Sequence, residues 1–299
     1  MDAARSVLRF SSVLAFVALT GCGAHPPPSQ FPTADAALQR MKDTYACARG
    51  VQGEGKIDHM GDTGRIRGNV MLMAVDPANV RFDVYSPFGV MLATLTSDGR
   101  EFAFFDMRDK QFLVGPPDPC NIARLTQVRM PAHALVQLMR GEAPLLVHQP
   151  AASTIQWSGS QSSGYYVVTI PSSNEATEIL HLTPVPQDFD LPYAKQRLRV
   201  LRVIVKQRDY VHYQADLSDH VVATTMPPRQ DPDGLDPDIP PSGPPCRAEV
   251  PRRIHFVMPN TGDDMQFRYE DAGLNPPLVD RVFEQNVPGG VQVREVRCQ

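Results

Sequence analysis

The chain contains no Cys-x-x-Cys pair, no His-Glu-x-x-His, no Gly-x-Ser-x-Gly, no P-loop and no dinucleotide fingerprint. Their absence argues against zinc ribbons, thioredoxin-type redox sites, zinc proteases, nucleophile-elbow hydrolases and nucleotide-dependent enzymes. Positive charge is not in excess either: the formal net charge is -4, which supplies no electrostatic footprint for nucleic acid. The eight histidines, His25, His59, His133, His148, His181, His212, His220 and His255, are scattered and none pairs with another at ligand spacing on a helix. No catalytic constellation, metal site or cofactor is therefore expected, and the chain reads as a non-enzyme. The apolar stretch near its start, 13–19, falls short of the roughly 18 to 20 residues that span a bilayer.

What that stretch does fit is a secretory leader. Arg5 and Arg9 precede it, small residues follow it, and it ends at Leu19-Thr20-Gly21-Cys22. Small residues directly before a cysteine resemble a bacterial lipobox. Residues 1–21 then form the signal peptide and Cys22 becomes the acylated first residue. Several acyl chains anchor stably where one would not. Residues 22–32 are a Pro-rich tether expected to stand off the membrane. Gly23 replaces the Asp that signals inner-membrane retention in many Gram-negative bacteria, so the expected address is the outer membrane, facing the periplasm.

The rest is long enough for a folded body, with 42% apolar residues in a chain of 299. Besides Cys22 there are four cysteines, Cys47, Cys120, Cys246 and Cys298. In an oxidising compartment an even number favours two disulfides, with three pairings open. Thr33 can cap a helix running to about residue 48, whose apolar stripe is Leu38, Met41, Tyr45 and Ala48. Short strand patterns follow at 51–58, 65–75, 79–86, 90–96, 101–106 and 111–114, separated by turn residues as in an antiparallel meander. Helical pieces at 120–126 and 131–140 interrupt it, the second opened by Pro131 and stopped by Gly141. Strands resume at 153–158, 165–170 and 177–183, then through 197–225, with 252–258 pairing 265–271. Few helices on an antiparallel sheet place the chain in the α+β class. The expected architecture is one domain over 33–299: an incomplete antiparallel β-barrel with helices covering an apolar cavity. Residues 226–245 carry eight prolines and four aspartates, and read as a flexible insertion; their spacing does not match a calcium loop. The many methionines, Met71, Met73 and Met139 among them, suit either core gaps or variable apolar ligands.

The run Asn79-Val80-Arg81-Phe82-Asp83-Val84-Tyr85-Ser86-Pro87-Phe88-Gly89, with Leu92-Ala93-Thr94-Leu95-Thr96-Ser97-Asp98-Gly99 after it, resembles the middle of LolB-like outer-membrane lipoproteins. The helix from Pro131 to Gly141 occupies the place of that family's lid helix. Arg268 to Leu278 is similar to the tail of the wider LolA/LolB lipoprotein carrier superfamily. Together these segments cover most of residues 31–290.

The resemblance implies a half-barrel whose apolar interior shields lipoprotein acyl chains, or other lipids, received at the outer membrane from a soluble periplasmic carrier. Met71, Met73, Phe82, Val84, Leu92, Leu135, Leu138 and Met139 are the candidate lining. It also implies that Pro87, Phe88 and Gly89 form a membrane-insertion loop, with Phe88 in place of the family's exposed Leu. The chain departs from the family in its length, its Pro/Asp insertion and its four cysteines. A structural lipoprotein without ligand is the alternative, and an envelope enzyme a weaker one. A continuous apolar cavity would favour carriage, and a filled interior the scaffold.

Overall fold

A computed structural model describes residues 25–298 except 62, 63, 161, 162 and 235. Cys22 and its leader lie outside the described residues. Helix α1 (Ala34–Tyr45) starts where the hydroxyl of Thr33 accepts a hydrogen bond from the Ala36 N–H at 3.1 Å, which satisfies one of the helix's orphan donors. Its buried stripe of Leu38, Met41 and Tyr45 is the one its spacing predicts.

Six strands then run as a meander: β1 (Gly50–Gly61), β2 (Gly64–Val75), β3 (Asn79–Tyr85), β4 (Met91–Asp98), β5 (Phe102–Asp106) and β6 (Gln111–Gly115). Helices α2 (Pro119–Thr126) and α3 (Ala132–Arg140) follow. A second meander comprises β7 (Thr154–Ser160), β8 (Ser163–Pro171), β9 (Ala176–Pro184), β10 (Leu198–Gln207), β11 (Tyr210–Thr224), β12 (Arg247–Met258) and β13 (Asp263–Leu274). The last strand is β14 (Gln292–Glu295).

Antiparallel pairing of β13 with β1 fuses the two meanders into a single 14-stranded sheet. Its order is β14-β6-β5-β4-β3-β2-β1-β13-β12-β11-β10-β9-β8-β7, and only the β14–β6 pair is parallel. The sheet is not closed: β7 and β14 are its edges, and no ladder joins them among the described residues.

Side-chain alternation decides which face is which. On β2, Val70, Leu72 and Ala74 are buried; they stand opposite Val84, Phe82 and Val80 on β3, and Ala93 and Leu95 on β4 continue the same face. This inner face carries the helices and one core shared with α1, α2 and α3. Each fully buried Leu or Phe there contributes on the order of 1.5–3 kcal/mol. The outer face holds ion pairs, among them Arg81–Asp83, Arg199–Glu249 and Arg202–Asp216. One apolar and one polar face is the usual economy of an antiparallel sheet.

Two disulfides select one of the three pairings. Cys47, just past α1, joins Cys246, just before β12, and Cys120 in α2 joins Cys298 in the tail. Near the first, Asn275 is fully buried and makes a polar knot. Its side-chain oxygen accepts from Arg49 N at 2.6 Å and Gly50 N at 3.3 Å, while its amide donates to Cys47 O at 2.9 Å and Pro244 O at 2.7 Å. Asn tolerates the left-handed backbone found here, φ 50°, better than most residues. One side chain thus ties α1, β1, β13 and the end of the Pro-rich insertion together. Within that insertion Arg229 and Ile239 exchange backbone hydrogen bonds at 2.9 Å.

The described end of the Pro-rich segment, 25–32, packs on the body. Pro27 and Phe31 are buried, Phe31 packs edge-on against Tyr166 and Tyr193, and Gln196 donates to Ser29 O at 3.1 Å. Phe31 supplies the apolar area that holds this stretch against the sheet.

Candidate functional site

Two features stand out: the apolar interior beneath α2 and α3, and the turn between β3 and β4. Helix α3 is short, yet seven of its nine residues are buried. A helix apolar on nearly every side belongs inside a fold rather than on it. It is therefore a plug more than a cover. It starts after the extended Pro131 and stops at Gly141, whose φ of +96° favours glycine and whose N–H donates to Leu138 O at 3.0 Å. A Cβ at Gly141 would lie 2.8 Å from the Pro251 ring, so any other residue would push the plug outward.

The plug is fixed at its C-terminal end. Arg140 is 4% exposed; its guanidinium donates to Ala48 O at 2.5 Å, to the Asp76 carboxylate, and to Glu142 Oε2 at 2.7 Å. Burial pushes the Glu142 carboxyl above its ordinary range, and the neighbouring Arg140 charge opposes that push. Truncating Arg140 would leave two acids without their cation, and unpairing a buried charge typically costs about 3–5 kcal/mol. At the same end, the Tyr269 hydroxyl donates to Met139 O at 3.2 Å. Beyond the helix, Leu146 N donates to Glu178 Oε2 at 2.9 Å. Glu178 is fully buried on the inner face of β9 between Ile170 and Val205, and its other oxygen has no partner among the described residues. Burial drives its carboxyl up to about 8, and the Leu146 N–H only partly offsets that.

Beneath the plug the interior is filled. Phe82, Val84, Leu135 and Met139 meet there with Val70 and Phe267 around a residual cavity of ≈ 20 Å³. That is room for about one water and not for a chain. Leu138 is buried in the same core. Met71 and Met73 lie on the other side of the sheet, where alternation sends them, in an open cleft of ≈ 590 Å³ beside Arg81 and Asp83. Leu92, 37% exposed, sits at the irregular register that begins β4. The candidate lining is thus divided between two faces of the sheet, and only its inner-face members come together.

The turn projects. Ser86 Oγ accepts from Phe88 N at 3.3 Å and Val90 N at 3.2 Å, Gly89 N donates to Ser86 O at 3.0 Å, and Gly89 takes a φ of +78°. With its backbone so engaged, the turn leaves Phe88 93% exposed and Val90 59% exposed. Pro87 is exposed beside them.

Sequence reasoning missed Glu178 and Arg140. Glu178 precedes Leu180 and Leu182 at spacing two, so an acid on the apolar face of a strand was there to be seen. Arg140 reads as an ordinary surface cation ending a helix, and nothing in its neighbours marks it as buried.

Among the described residues no helix is long and apolar enough to cross a membrane, and no three or more His, Cys, Asp or Glu are placed to hold a metal ion. The chain matches no family model and no curated protein. Its fold is similar to that of a LolA superfamily protein from Nitrosomonas europaea, with a TM-score of 0.50 at 14% identity over 85% of this chain and 99% of that one. A DUF1329 family protein from Desulfovibrio piger gives a TM-score of 0.50 at 9% identity, over 84% and 95%. At these identities the likeness shows the fold.

Proposed function

We infer that this protein binds acyl chains of lipoproteins or lipids and passes them to a membrane to which Cys22 anchors it, at the periplasmic side of the outer membrane. The observation that carries this reading is the plug. Helix α3 presents Leu135 and Met139 to the inner face of β1–β3, is fixed at one end by Arg140, and leaves at the other through the short link 127–131. Such a helix can trade places with an acyl chain. A sixteen-carbon chain carries about 13 kcal/mol of transfer free energy at roughly 0.8 per CH₂, so it needs a shielded passage. The carrier must nearly match that burial without exceeding it, and refilling the interior with α3 lets the cargo leave. The LolA superfamily likeness in fold adds to the reading. On it, a soluble periplasmic carrier is the partner that delivers the cargo, and the exposed Phe88 is the wedge that enters the accepting leaflet.

The filled interior favours a second reading, an anchored scaffold without ligand. Native mass spectrometry of the protein expressed without its leader and Cys22 separates the two. The carrier reading expects co-purified acyl lipid, or its uptake from added vesicles. Protein that stays free of lipid and transfers none between vesicles establishes the scaffold instead.

A further inference from the structure

A cleft of ≈ 250 Å³ opens on the solvent side of α2, against the ends of β11, β12 and β13. Arg124, Gln127 and Arg129 face it from the α2 side, and Tyr210, His212 and Asp263 from the strands. Its two arginines outnumber its one acid, although the chain as a whole is acidic. The larger clefts on the outer face are the reverse: Glu54, Asp83 and Asp271 outnumber Arg81 in one, and Glu54 and Glu270 outnumber Lys56 in the other.

The acid here is also occupied. Asp263 accepts from the Thr261 hydroxyl at 2.7 Å and contacts His59 Nε2 at 3.3 Å. Among the described residues Arg124 spends only its Nε–H, on Asn121 Oδ1 at 3.1 Å. Arg129 is exposed and has no hydrogen-bond or ion-pair partner among the described residues, and His212 has only the Tyr210 ring, at 5.0 Å. Two guanidiniums with free donors, in one cleft, suit a phosphate better than any neutral group.

Its position matters as much as its charge. Leu125 and Thr126, the residues after Arg124, line the apolar cavity under the plug, as does Met265, two residues beyond Asp263. One turn of α2 and the start of β13 thus separate a cationic cleft from an apolar interior. That is the outline of an amphiphile with an anionic head.

The geometry points to a headgroup site: the cleft of Arg124 and Arg129 holds the phosphate of an acyl lipid whose chains pass α2 into the place of α3. This rests on the carrier reading and narrows its cargo to phosphate-bearing amphiphiles. Isothermal titration calorimetry with three probes tests it: dihexanoyl phosphatidic acid, the uncharged dihexanoylglycerol, and inorganic phosphate. The wild-type protein is expected to bind the phosphatidic acid at least about tenfold more tightly than the glycerol, and the preference should shrink in high salt because the cleft is open to screening. The double variant R124Q/R129Q should lose that preference and keep its affinity for the glycerol. R129Q alone touches no partner among the described residues and should lose part of it without any cost in folding.

A wild type without the preference, or variants that retain it, overturns the headgroup site while leaving the carrier reading standing on glycerol binding. Failure to bind either amphiphile overturns both. If inorganic phosphate binds as tightly as the phosphatidic acid, the cleft is a free-phosphate site and the lipid assignment falls.

Discussion

Phe88→Glu is expected to lower association with lipid vesicles, and with it delivery of acyl cargo, by about 10- to 100-fold, while the unfolding midpoint hardly moves. The size follows from what Phe88 would bury. A Phe side chain moved from water into an apolar phase gains roughly 1.5–3 kcal/mol, and a carboxylate gains nothing there. The near-neutral stability follows from its surroundings, since a 93% exposed side chain has little packing to lose. The turn's hydrogen bonds to Ser86 use backbone N–H groups, which the substitution keeps. Phe88→Leu should retain most of the activity because it restores apolar area. Vesicle co-sedimentation and a cargo-transfer assay read both variants. Delivery by Phe88→Glu equal to wild type would falsify the wedge.

The second large effect is on pH dependence. Glu178 has an ordinary pKa of 4.5, and burial raises it to about 8 in the fold. The folded state therefore holds a proton that the unfolded chain gives up, and the sign follows. Stability is fully present below about pH 4.5 and is lost as the pH climbs toward 8, where the buried carboxyl must ionise. At about 1.4 kcal/mol per tenfold change in proton affinity, the loss is on the order of 5 kcal/mol. Tyr213, fully buried and pushed up by its own burial and by Glu178, offers no positive charge to relieve it. Glu178→Gln keeps an acceptor for Leu146 N–H and has nothing to ionise. Urea unfolding at pH 5 should find the variant close to wild type, and at pH 9 several kcal/mol more stable. A wild-type profile that stays flat from pH 5 to 9 contradicts this account of Glu178.

Much of the fold was legible because its signals are local. Thr33 caps α1, Gly141 stops α3, and the alternation of Val80, Phe82 and Val84 assigns the inner face of β3 without any tertiary information. The pairing of β13 with β1 was not legible, since it joins residues more than two hundred apart and no turn specifies it. Nor was the burial of α3. Its apolar face was plain, but burial on its remaining sides depends on Arg140 finding Asp76 and Glu142, which composition cannot announce. The candidate lining mixed two faces because methionine was weighed by type. Strand parity separates Met71 and Met73 from Leu72, and would have sent them outward. The packing of the Pro-rich segment was not legible either. Its prolines argue for a spacer, and a single aromatic, Phe31, holds it to Tyr166 and Tyr193.

The central claim is that an acyl chain takes the place of α3 on the inner face. The most direct measurement is crosslinking with a photoreactive palmitoyl lipid, its diazirine near the chain end, followed by peptide mapping. The account predicts adducts on Val70, Phe82, Val84 and Phe267, the inner-face residues that α3 covers, and their loss when unlabelled lipid competes. Adducts confined to Met71 and Met73 on the outer face, or none at all under conditions where lipid is bound, would contradict it.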